Sequence, residues 1–219
     1  MAENSLEPRL YRIGGVEIGG KTGEYPTVVI GSLFFRGHRL VSDAQSGSFD
    51  QGGAASLLAR EEELSEIYGI PYFVDPIGET TKALTRYIEF IAAHTTAPIL
   101  IDSPSQAVRL ETLRYFAASE LMPRLIYNAI AEDYTEEEIA CLRECKVESS
   151  IVLAFSSRAI RPTDRLKLLQ ERLLPQATGR DRAHPGRHRG ARCTQPGLGW
   201  RNHEAGQRNP GLTLRLCPG

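Results

Sequence analysis

The sequence predicts an α/β fold built on a parallel sheet, and two observations carry that reading. Short unbroken apolar runs alternate with segments of helical periodicity, five times in succession at about 25 residues each. That alternation is the pattern of β/α units joined by right-handed crossovers. Three successive runs also end in a polar residue, at Asp75, Asp102 and Asn128. Polar side chains at several strand ends favour a (β/α)8 TIM barrel, whose sites lie at the carboxyl ends of its strands. A doubly wound sheet is the alternative. A full barrel takes roughly 250 residues, and five of its eight units are visible in this chain of 219.

The elements follow in order. Leu10 to Ile13, the pair Gly14-Gly15, and Val16 to Ile18 read as a hairpin capping one end of a larger sheet. Thr27-Val28-Val29-Ile30-Gly31 is the first buried strand, followed by a long loop from Ser32 to Ser48 that carries Phe34, Phe35, Arg36 and His38. Asp50 is the expected N-cap of a helix whose apolar residues are Ala54, Leu57, Leu58, Leu64 and Ile67. The second unit pairs the strand ending at Asp75 with a helix starting near Thr80, its stripe made by Leu84, Tyr87, Ile88 and Ile91.

Pro98-Ile99-Leu100-Ile101-Asp102 is apolar without alternation, as in a strand covered on both faces. An unpaired carboxylate is costly to bury, so Asp102 belongs at the rim, facing a partner or a ligand. Leu110, Leu113 and Phe116 mark the next helix. After the Asn128 strand, Thr135 and Glu138 form a capping-box pattern ahead of Ile139, Leu142 and Cys145. Ser150 to Phe155 is a fifth strand, and Pro162 opens a leucine-rich helix.

Composition bounds the remaining classes. No apolar run approaches the roughly 20 residues of a membrane span, and the polar N-terminus is unlike a signal peptide, so the expected location is the cytoplasm. Cys141 and Cys145 share one helix face but lack further ligands at metal-site spacing, which favours core packing and no metal. The net charge of -1 conceals an asymmetry: residues 176–219 hold eight Arg against two acids, Asp181 and Glu204. That region has no Val, Ile, Phe or Lys. It reads either as a disordered basic tail, of the sort that binds nucleic acid without sequence preference, or as an out-of-frame product. Arg182 to Arg192, back-translated and read one nucleotide later, permits Ala-Pro-Ile-Leu-Val-Asp-Thr-Ala-Val-Leu-Asp, an apolar strand ending in Asp. The expected organisation is therefore residues 1–175 as the N-terminal portion of a barrel and 176–219 as an out-of-frame or disordered tail, with no nucleic-acid partner.

Several stretches together carry a resemblance: Arg12 to Gly20, Pro26 to Ser32, Gly37-His38, Val74-Asp75 with Gly78-Glu79-Thr80, Pro98 to Ser103, and Ile126-Tyr127-Asn128. Over about residues 9–175 the chain resembles the H-subunit family of tetrahydromethanopterin S-methyltransferase, a group with bacterial relatives that act with tetrahydrofolate. The resemblance implies a TIM barrel of the pterin-binding methyltransferase type. It implies methyl transfer between a corrinoid protein and a tetrahydropterin, either tetrahydromethanopterin or tetrahydrofolate. The corrinoid, a cobalamin, would be carried by the partner protein; other methyltransferase-complex subunits and a homodimer are compatible with it. Asn128 is the expected catalytic group, with Asp102, Asn128, Asp75 and Ser103 on the pterin; Glu79 and His38 are further candidates. The competing expectations are a catalytically dead truncated fragment and a dihydropteroate-synthase-like pterin enzyme. An open five-unit sheet would leave an unpaired edge, which predicts aggregation.

Overall fold

A computed structural model describes residues 10–21, 23–177 and 212–215. The chain begins with an antiparallel hairpin, β1 (Leu10–Ile13) and β2 (Val16–Gly19). The first sheet strand is β3 (Val29–Leu33), and a small ribbon follows, β4 (Val41–Asp43) and β5 (Ser48–Phe49). Four further units are α1 (Gln51–Tyr68) to β6 (Tyr72–Pro76), α2 (Thr81–His94) to β7 (Ile99–Asp102), α3 (Gln106–Phe116) to β8 (Leu125–Ile130), and α4 (Glu136–Glu144) to β9 (Ser149–Val152). A last helical stretch combines α5 (Pro162–Leu168), a π-helical turn (Leu169–Leu173) and α6 (Leu174–Ala177).

Strands β3, β6, β7, β8 and β9 lie side by side in chain order, all parallel. The backbone of β10 (Leu212–Arg215) pairs antiparallel with β9. The order contains no reversal, whereas a doubly wound sheet turns back at a switch point. The structure is thus a mixed α/β fold with a mostly parallel sheet. Of the anticipated tail, Gln176 and Ala177 close α6, and the remainder other than β10 falls outside the described residues.

The pleat sorts side chains to two faces. Val74, Ile99, Ile101, Leu125, Tyr127 and Val152 join the large core formed with the helices. Their neighbours Phe73, Leu100 and Ile126 turn the other way and pack with Ile13 of the hairpin, flanked by Val16, Ile18 and Ile151. All five helical segments of the β/α units contribute to the first core, and the hairpin covers the second. Gly14 turns at φ +52 against the segments that enter β7 and β8; a Cβ there would meet Pro98 Cγ at 3.1 Å. The hairpin therefore closes the amino-terminal end of the second face, opposite to the strand ends that carry the polar residues.

Local chemistry explains the helix boundaries. Asp50, Thr80, Ser105 and Thr135 each cap a helix by accepting from a backbone N–H three residues on. Leu84, Tyr87, Ile88 and Ile91 are fully buried, as their stripe requires. Three expectations need correction. The first strand lies two residues later than anticipated and is exposed, at 53% for Val29 and 44% for Ile30, because among the described residues β3 is an edge with no strand on its outer side. On α1 only Ala54 and Leu58 are buried, while Ile67 is exposed. The fifth strand ends at Val152, short of Phe155.

Candidate functional site

Ser32, Asp75, Asp102 and Asn128 each stand two residues beyond Ile30, Phe73, Leu100 and Ile126 on the same strands, so all four project to the face opposite the helices, at its carboxyl-terminal end. Two of the pairings are direct: Ser32 is the register partner of Asp75, and Asp102 that of Asn128. The middle step is diagonal. Val74 pairs with Ile99 and Ile77 with Asp102, which places Asp102 two residues further along than Asp75; neighbours of that kind lie within reach of one another.

The hydrogen bonds follow this staircase. Ser32 Oγ donates to Asp75 Oδ2 at 3.0 Å, and Asn128 Nδ2 donates to Asp102 Oδ2 at 3.1 Å. The peptide joining Asn128 to Ala129 is cis. Gly78 N–H reaches the carbonyl of Asp102 at 3.1 Å, pinning the loop after β6 over the strand end.

Two carboxyls so close cannot both ionise freely. Burial pushes Asp75 above the ordinary carboxylate range, and the polar groups of Ser32, Asn128 and Asp102 pull the other way. Asp102 is pushed up to about 7, by burial first and by the charge of Asp75 second, against the pull of Arg109 and the Ser103 N–H. Both carboxyls therefore bind a proton more readily than an exposed aspartate does. Asp75 Oδ1 is buried and accepts from no N–H or hydroxyl at hydrogen-bonding distance. It is an acceptor in want of a donor.

Behind this site, on the helix side, lies a polar cluster that helical spacing did not reveal. Glu138 is 1% exposed and accepts from Tyr127 Oη, from Gln106 Nε2 at 2.7 Å and from Arg109 at 3.3 Å. Arg109 also donates to the Ser103 carbonyl at 2.7 Å and to Tyr127 Oη at 3.1 Å. The cluster locks α3 and α4 to the ends of β7 and β8, and so fixes the backbone from which Asp102 and Asn128 project. Thr135 makes its half of the expected capping box, but Glu138 is spent on the cluster. Helical periodicity could not distinguish these two uses of one glutamate.

The other candidates are placed as follows. Ser103 is buried and its hydroxyl accepts from Ser105 N–H, shaping the turn into α3. Glu79 pairs with Arg36 at 2.8 Å, tying together the loops after β3 and β6 on the same rim. The His38 ring stands edge-on to Phe35, its Nδ1 3.4 Å from the Leu40 N–H, and burial, then Arg39, lowers its pKa. Phe34 is buried between Tyr87 and Phe49. Cys141 and Cys145 lie in the core with sulfurs 3.9 Å apart. Among the described residues, no group of three or more His, Cys, Asp or Glu side chains is placed to hold a metal ion. None of the described helices is long and apolar enough to cross a membrane.

One family model matches most of the sequence. Described as the MtrH subunit of tetrahydromethanopterin S-methyltransferase, it matches residues 7–180. The chain belongs to the MtrH family. Its similarity to curated members is substantial: the H-subunit of tetrahydromethanopterin S-methyltransferase from Methanopyrus kandleri is 37% identical over 165 residues, covering 75% of this chain and 51% of the relative. The protein of the same name from Methanothermobacter thermautotrophicus is 40% identical over 144 residues, 66% of this chain and 46% of the relative. The one from Methanosarcina acetivorans is 38% identical over 160 residues, 73% and 50%. The chain thus spans about half the length of the MtrH relatives it matches, and the match stops where the arginine-rich composition begins.

Proposed function

We propose that this chain carries the pterin-binding half of a methyltransferase that moves a methyl group between a corrinoid protein and a tetrahydropterin. The relatives' names point to tetrahydromethanopterin, with tetrahydrofolate as the bacterial counterpart. In this reading the sheet is five units of a (β/α)8 barrel, residues 1–175, and the remainder from 176 is a separate kind of sequence. Asp102, Asp75 and Asn128 hold the pterin, and Ser103 fixes the turn beneath them.

The observation that carries the reading is the buried acid pair with an adjacent carboxamide, all on one strand-end face. A pterin's aminopyrimidinone edge offers neighbouring N–H donors and a carbonyl acceptor. Asp75 Oδ1, lacking a donor, suits the former, and a protonated Asp102 or the Asn128 amide suits the latter. Hydrogen bonds to an ionised carboxylate contribute roughly 1.5–3 kcal/mol each. The methyl transfer itself depends mainly on orientation, for which holding the reactants in line supplies up to roughly 7–11 kcal/mol. Asn128 is the group assigned to the reacting pterin nitrogen. A corrinoid, held by its own protein, supplies the cobalt to which the methyl group is attached. The rim loops bearing Arg36, His38 and Glu79 are the assigned docking surface for that cytoplasmic partner.

The test is calorimetric titration of the chain with tetrahydromethanopterin and, separately, with tetrahydrofolate. Binding that Asp102→Ala and Asn128→Ala each weaken at least tenfold supports the reading, whereas binding indifferent to both substitutions sinks it. The β3 edge, which no described strand covers and where Val29 and Ile30 are exposed, favours a second outcome: pterin binding without turnover.

A further inference from the structure

Among the described residues, the side chains bonded to the acid pair on its own face are uncharged: Ser32 from β3 and Asn128 from β8. On the rim, Glu79 of the loop after β6 is paired with Arg36 of the loop after β3 at 2.8 Å. A cation approaches from behind. Arg109, the fourth residue of α3, reaches back to the strand ends, where Nη1 donates to the Ser103 carbonyl at 2.7 Å and Nε to Tyr127 Oη at 3.1 Å. Ser103 is the residue that follows Asp102. An arginine in the opening turn of a helix stands at the unfavourable end of the helix dipole, so these partners, and not the helix, hold it there.

The counter-charge lies further back. Glu138 of α4 accepts from Arg109 Nη2 at 3.3 Å, and its other side-chain partners are Gln106 on α3 and Tyr127 on β8. The buried ion pair is therefore oriented, with its positive member beside the end of β7 and its negative member behind.

We infer that Arg109 is a positioning residue for the acid pair: anchored between Glu138 and the Ser103 carbonyl, it turns the positive end of a buried ion pair toward Asp102 and favours the carboxylate there.

The sign follows from distance, because the nearer of two opposite charges governs the field at a third group. Burial and the charge of Asp75 both raise Asp102, and Arg109 with the Ser103 N–H opposes them. A carboxylate accepts through both oxygens, whereas a carboxylic acid spends one as a donor. Asp102, so biased, joins Asp75 Oδ1 as an acceptor for ligand N–H groups. A ligand carbonyl then falls to the second N–H of the Asn128 amide, whose first is on Asp102. That division of labour rests on the pterin reading above; the sign of the Arg109 effect belongs to the ligand-free chain and is tested there.

The experiment is a carbon-13 titration of the aspartate carboxyl signals in the ligand-free 219-residue chain carrying Asp75→Asn, in which Asp102 titrates alone and not as one of a coupled pair. Against that background Arg109→Gln should raise the Asp102 midpoint by about 1 pH unit. Arg109→Lys, which keeps the charge, should leave it near the background value, and Glu138→Gln, which uncovers the Arg109 charge, should lower it. Arg109→Gln combined with Glu138→Gln strands no buried charge and should still raise it, since the nearer charge is lost. A purely structural role makes the opposite prediction: a loosened strand end admits water, which lowers the midpoint in every variant. A midpoint lowered or unmoved in folded Arg109→Gln, or in the double variant, would overturn the inference. With Asp75 in place, the sum of the two carboxyl midpoints should move in the same directions, so the sign is readable even where Asp75→Asn does not fold. Calorimetry of the native chain with tetrahydrofolate and tetrahydromethanopterin is a separate arm, and failure of both to bind counts against the proposed function while leaving these signs as they are.

Discussion

Glu138→Ala probes the cluster that holds the site's backbone, and its cost is calculable from the contacts removed. The carboxylate is 1% exposed and takes three bonds, from Tyr127, Gln106 and Arg109. Its loss strands a Tyr127 hydroxyl in a fully buried ring and leaves the Arg109 guanidinium, itself only 14% exposed, with the Ser103 carbonyl and Tyr127 Oη as its remaining partners. Removing one member of a buried pair costs about 3–5 kcal/mol, against a typical domain stability of about 5–15 kcal/mol. Glu138→Gln keeps an acceptor for Tyr127 and gives up mainly the charge, so its cost should be about 1.5–3 kcal/mol. Urea unfolding followed by circular dichroism measures both, read as midpoint shifts at constant slope. A loss below about 1 kcal/mol for Glu138→Ala would refute the argument, since no buried network of this kind breaks so cheaply. The same variant should weaken pterin binding, because Tyr127 lies between Ile126 and Asn128 on the strand that presents the amide.

Two further outcomes are expected. The Asp102 carboxyl is raised in the folded chain from 3.8 to about 7, so the folded state binds the extra proton; its contribution to stability is complete below about pH 4 and is lost as pH rises through about 7. Thermal midpoints measured across that range should fall with rising pH, and Asp75→Asn should flatten the trend. Gly78→Ala places a Cβ 2.5 Å from Leu84 Cβ and 2.8 Å from its Cα. The loop must move off Asp102, at about 1–3 kcal/mol in unfolding free energy, and a stability equal to the native chain's would contradict that contact.

Much of the fold was legible because each strand announces itself by an apolar run and each helix by a capping side chain. Asp50, Thr80 and Thr135 cap as their spacing demands. The strand-end polar residues Asp75, Asp102 and Asn128 were legible for the same reason, since a carboxylate cannot stay inside an apolar run. Ser32 was not, because a serine after a glycine reads equally well as the first residue of a loop, and only the register with Asp75 reveals its use. Arg109 and Glu138 were hidden by the opposite ambiguity. Charged residues on amphipathic helices normally face water, and nothing in their spacing tells that these two turn inward to meet Tyr127. Exposure of β3 was likewise invisible, for apolar content identifies a strand without saying whether another strand lies beside it.

The unbroken chain order of the parallel strands has a kinetic meaning. Ser32, Asp75, Asp102 and Asn128 are brought together by pairings between consecutive units, so no loop longer than one β/α crossover must close to assemble them. Contacts of short sequence separation form early and tolerate change elsewhere. The four-residue file can therefore take shape while the chain is still being synthesised, before any later strand exists to share its edge.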